Sequence, residues 1–178
     1  MNSKLLYKNE EQILVDDFMD IGYMAENVVV LSTCKEQTEL KRNNEAKSMS
    51  MFVSFPSLSD FENEILRLDK FMSDIKVDIN CYLLFDSYNV ERVELERKLN
   101  IFKVFFDEEE EYGNMYGTKI EKGTLESKLT KALFLISKDG AVFYIDMPEL
   151  IEKPLDMDRL HIALNKAYVA YTGVGCHG

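Results

Sequence analysis

The chain has little of what would tie it to nucleic acid, to a membrane or to a metal. Its 21 basic residues stand against 32 acidic ones, a formal net charge of −11. Binding a phosphate backbone requires lysine and arginine to displace counterions, so nucleic acid is not an expected partner. No uncharged apolar run reaches the length of a membrane span, and the opening MNSKLLYKNEEQ has no signal-peptide core, so a cytoplasmic protein is expected. Cysteine is scarce and scattered: Cys34, Cys81 and Cys176 form an odd set with no CxxC pair. Such a set gives neither a disulfide framework nor a closed zinc site, and no metal or cofactor is expected.

What is present is an ordinary globular composition, 46% apolar and 30% charged over 178 residues, with neither linker nor repeat. The runs KLLY and QILV around KNEE predict an N-terminal β-hairpin. NVVVLS and SMSMFVSF flank the polar TCKEQTELKRNNEAK, which predicts a second hairpin-like excursion with Cys34 at a surface turn. Phe61, Ile65, Leu68, Met72 and Ile75 recur at steps of four, three, four and three, a helix with one apolar face.

VDINCYLLFD and IFKVFFD read as strands on either side of the helix VERVELERKLN. The acidic run 107–111 and the glycine-bearing YGNMYGTKIEKGTLESK read as a solvated face and a loop. Asp139-Gly140 turns the hairpin KALFLISKDGAVFYID, and a last helix is expected from about Asp156. The whole predicts one mixed α/β domain over residues 1–168, followed by a tail over 169–178.

The order of these elements, with SFPS closing a strand, MYGTKIEKG, KALFLISKDG and PELIEKP, resembles the thiol peroxidase branch of the peroxiredoxins. The resemblance runs from Lys4 to Tyr168 and implies a thioredoxin-like fold: a central mixed sheet, flanking helices and an added N-terminal hairpin. It also implies a homodimer, and thioredoxin as the redox partner of an active member. The family's reaction needs a cysteine thiolate stabilised by a helix N-terminus and an arginine.

In the motif Pro-x-x-x-Thr-x-x-Cys, Pro56 is kept, Asp60 stands at the threonine and Asn63 at the cysteine. The arginine falls on Lys131 and the resolving cysteine at about Leu95. A carboxamide has no nucleophilic form near neutral pH, so the resemblance implies a thiol peroxidase homologue with a degenerate site. Ser59 followed by Glu62 reads as a capping box, and Asp60, Glu62 and Glu64 load the first turn with charge that would repel a thiolate.

The remaining thiols offer a rival reading, a hydroperoxide reductase with a relocated nucleophile. Cys176, beside His177 in GVGCHG, is its first candidate and Cys34, beside Lys35, its second. Cys81, mid-strand, reads as structural, and His161 between Leu160 and Ile162 as a partly buried structural residue. A pocket bounded by Pro56, Asn63 and Lys131 is where a small ligand is expected if the vacated site holds one.

Overall fold

The structure, a computed structural model, describes residues 3–42 and 48–170; Cys176 and His177 lie outside these residues. Strands β1 (Lys4–Tyr7) and β2 (Glu10–Leu14) form the expected hairpin. Its turn places Lys8 and Asn9 at positive φ, as a tight two-residue hairpin requires. The polar excursion contains a strand of its own. β3 (Val28–Ser32) pairs with β4 (Gln37–Leu40), and not with β5 (Met49–Ser54), which runs alone into the centre of the sheet.

Helix α1 (Glu62–Asp74) follows β5, then β6 (Ile79–Phe85), α2 (Val90–Leu95) with a 3-10 turn behind it, and β7 (Lys103–Phe106). The glycine-bearing stretch read as loop holds a short helix α3 (Glu111–Met115) and β8 (Ile120–Lys122). β8 pairs with β2, so the N-terminal hairpin becomes a three-stranded sheet. Period-two alternation is invisible in three residues, which is why this strand escapes a sequence reading. β9 (Ala132–Ile136) and β10 (Val142–Asp146) make the expected hairpin, and α4 (Met157–Ala170) runs two residues into the segment expected as tail.

The main sheet has the order β10-β9-β5-β6-β7-β3-β4, with β5, β6 and β7 parallel and their neighbours antiparallel. Every residue of β5 is buried, as a central strand covered on both faces demands. The predicted face of α1 packs into this core, with Phe61, Ile65, Leu68 and Met72 all at most 5% exposed. Burying each such side chain contributes about 2 kcal/mol.

Three sequence readings change at this level. The run 107–111 is not a solvated face throughout: Asp107 is 2% exposed and accepts N–H bonds from Tyr112 (3.0 Å) and Gly113 (2.8 Å). His161 is exposed, its ring 5.9 Å from that of Phe71. The capping box does not form, because Phe61 is the N-cap of α1 and no side chain caps it. The Phe61 N–H bonds to Leu58 in a preceding turn, 3.1 Å, which starts the helix two residues later than a Ser59 cap would.

Candidate functional site

The C-terminal end of β5 delivers the chain through buried Pro56 into the turn before α1. Asp60 lies in that turn and Asn63 in the first helical turn, both exposed. They line one cleft of about 340 Å³ together with Tyr7, Lys8, Arg67 and Glu152. The hairpin turn reaches over the helix start: the Tyr7 hydroxyl donates a short bond to Asp60, whose carboxylate also lies 3.4 Å from the Lys8 ammonium. The hydrogen bond from Tyr7 holds the Asp60 carboxyl below its usual range, against the opposing effect of partial burial, with Lys8 adding to it. The Lys8 N–H donates to Glu152 at 2.7 Å and closes the far side.

Lys131 stands just before β9 and does not line this cleft. Its side chain is 0% exposed, with Nζ 2.6 Å from Glu64 Oε1 and 2.8 Å from the Lys153 carbonyl. The other oxygen of Glu64 accepts the Leu155 N–H at 2.8 Å. The ammonium also sits 4.8 Å from the centre of the Phe61 ring, a favourable cation–π position. Burial pushes the Lys131 ammonium below its ordinary value, and Glu64 opposes that shift. The expected pocket bounded by Pro56, Asn63 and Lys131 is therefore corrected: Phe61 and Glu64 stand in the cleft wall, and Pro56 and Lys131 are buried.

The residue that sequence reasoning missed is Glu64. It belongs to the acidic first turn, yet it lies three residues after Phe61 and four before Leu68, on the apolar face. An acid at that spacing is buried and must find a counter-charge. Glu62 does remain outward and pairs with Lys98 at 3.0 Å. This ion pair crosses a second cleft of about 360 Å³ between α1 and α2, where Leu95, 2% exposed, occupies the place of the expected resolving cysteine.

The two described thiols fall apart from this centre. Cys34 is exposed in the β3–β4 turn, and three interstrand steps separate β3 from β5, roughly 14 Å. Cys81 is buried, and burial, aided by the charge of Asp69, pushes its thiol up to about 12. It stays protonated and inert at neutral pH. No group of His, Cys, Asp and Glu among the described residues is arranged to hold a metal ion, and no helix among them is long and apolar enough to cross a membrane.

The architecture matches solved structures over nearly its whole length. A peroxiredoxin-like protein from Aquifex aeolicus aligns with a TM-score of 0.82 at 18% identity, covering 94% of this chain and 98% of that one. A thiol peroxidase from Chromobacterium violaceum aligns at 0.80 and 14%, covering 93% and 97%. The mitochondrial 2-Cys peroxiredoxin from Plasmodium falciparum follows at 0.68 and 14%, covering 88% and 99%. No protein-family model and no curated protein matches the chain by sequence. The chain has the peroxiredoxin-like thioredoxin fold.

Proposed function

We propose that the chain is a thiol peroxidase homologue with a degenerate site, which does not reduce peroxides by the cysteine mechanism and acts through binding, regulation or structure. The observation that carries this reading is the buried Lys131–Glu64 pair beside Asn63. A peroxidatic site needs a cation free to stabilise a thiolate and then the developing negative charge of the departing oxygen. Here the cation at the matching position is already neutralised, 2.6 Å from a carboxylate. The nucleophile position holds a carboxamide, and Tyr7 and Lys8 hold Asp60 at the position of the orienting threonine. The protein is read as a cytoplasmic homodimer paired through the face around this cleft.

The test is consumption of hydrogen peroxide and an alkyl hydroperoxide with a thioredoxin system. It compares the parent with Cys34→Ser and Cys176→Ser. The reading expects no turnover above the protein-free rate from any of them. Turnover in the parent that either substitution abolishes would establish the relocated-nucleophile reductase instead.

A further inference from the structure

The outermost strand β10 and the adjacent face of α4 enclose a groove of about 460 Å³, far from the Asn63 cleft in sequence and on other elements. Ile21, Phe143, Ile145 and Ile162 make it apolar. Ile21 and Ile162 are more than half exposed, at 57% and 56%, and the apolar surface continues through Phe18 and Tyr23, whose rings lie 6.1 Å apart. Leaving this much contiguous apolar surface in water is unfavourable unless something covers it.

Two features say what covers it. First, β10 ends the sheet. Among the described residues its outer backbone bonds are those between Val142 and the segment of Gly22 and Tyr23, both 2.8 Å, so Phe143 to Ile145 have no strand beyond them. Such an edge accepts an extended segment by main-chain pairing.

Second, the charged residues lining the groove are both cations, Arg159 and Lys166, on a chain whose net charge is −11. They stand with Ile162 and Ala163 at helical spacing on one face of α4, and neither forms a salt bridge with a described residue. Asp146 accepts the Asp156 N–H at 2.8 Å, and Asp156 accepts the Arg159 N–H at 3.0 Å.

We propose that this edge docks an extended segment of a partner protein with the pattern acid-x-apolar-x-acid. The segment adds a strand to β10, seats its apolar residue against Ile21 and Ile162, and sets its carboxylates against Arg159 and Lys166. The lengths agree. Two helical turns from Arg159 to Lys166 rise about 10 Å, and carboxylates four residues apart on a strand are about 13 Å apart, a difference the long cationic arms span. A second copy of this chain is the wrong occupant, because a two-fold pairing would face cations with cations.

The probe is a fluorescein-labelled peptide containing Glu-Thr-Ile-Thr-Glu, titrated with the full chain and read by fluorescence anisotropy. Saturable binding is expected. Arg159→Glu with Lys166→Glu weakens it about tenfold, since two exposed ion pairs become two repulsions, and the same variant prefers the Lys-Thr-Ile-Thr-Lys peptide. Should the reversed variant not fold, Arg159→Gln with Lys166→Gln reads the same contact through a smaller loss, about threefold. The proposal is overturned by an absence of saturable binding to the folded parent, or by binding that ignores both charge changes. It is equally overturned by a dimer in sedimentation equilibrium that Ile162→Asp dissociates.

Discussion

Replacing Lys131 with methionine isolates the buried pair that fills the centre of the site. Both side chains are out of water, at 0% and 8% exposure, so neither charge can be solvated when its partner is lost. In Lys131→Met, Glu64 keeps only the Leu155 N–H, and the Lys153 carbonyl loses its donor. Breaking a buried pair on one side costs about 3–5 kcal/mol, because an uncompensated charge remains. With a urea slope of about 2 kcal/mol per molar, a loss of 3 kcal/mol lowers the unfolding midpoint by roughly 1.5 M.

The companion variant Glu64→Gln/Lys131→Met removes both charges and retains an acceptor for Leu155. It is expected to lose no more than about 1–2 kcal/mol, so the double-mutant cycle gives a coupling of about 2 kcal/mol or more. Urea unfolding followed by circular dichroism at pH 7 measures Lys131→Met, Glu64→Gln and the double variant. A single variant that loses under about 1 kcal/mol, or additive singles, would refute the reasoning that this pair is a closed, desolvated unit.

Asn63→Cys restores the sulfur at an exposed position while Lys131 stays paired with Glu64, so its thiol is expected near the free-cysteine value of about 8.5; ultraviolet titration of the thiolate checks this, and a value near 6 would contradict it. Adding Glu64→Gln frees the Lys131 ammonium and is expected to lower that thiol's value. Burial raises the Asp107 carboxyl to about 7, opposed by its bonds from Gly113 and Tyr112. A raised value means that the folded state holds this proton more tightly, so the group's stabilising contribution is present in full below about pH 4 and is lost as pH rises through 7. The loss is at most roughly 4 kcal/mol. Asp107→Asn is expected to flatten that part of the stability profile, and a carboxyl carbon resonance titrating below about pH 5 would contradict it.

Much of the frame is legible in the residues. The step pattern from Phe61 to Met72 fixes a helix with one apolar face, and the Asp139-Gly140 turn fixes the β9–β10 hairpin. The site is legible only as a set of departures: Asn63, Asp60 and Lys131 are visible in sequence, but their separation in space is not. Motif spacing puts three residues in register without saying that Lys131 turns inward behind Phe61. Glu64 is legible in its spacing, three residues after Phe61 and four before Leu68 on the apolar face. The capping box failed for the complementary reason, since burial of Phe61 sets where the helix begins and overrides the serine three residues before Glu62. β8 is held by pairing with distant β2, β4 is a four-residue strand paired with its neighbour β3, and four or fewer strand residues carry too little alternation to announce themselves.

The central claim is that no thiolate in this protein is built to meet a peroxide. It is tested most directly by exposing the chain to stoichiometric hydrogen peroxide for seconds in the presence of dimedone, then reading the intact mass. The account predicts an unmodified chain, indistinguishable from one mixed with dimedone alone. A single adduct formed within that time on Cys34 or Cys176 would contradict it.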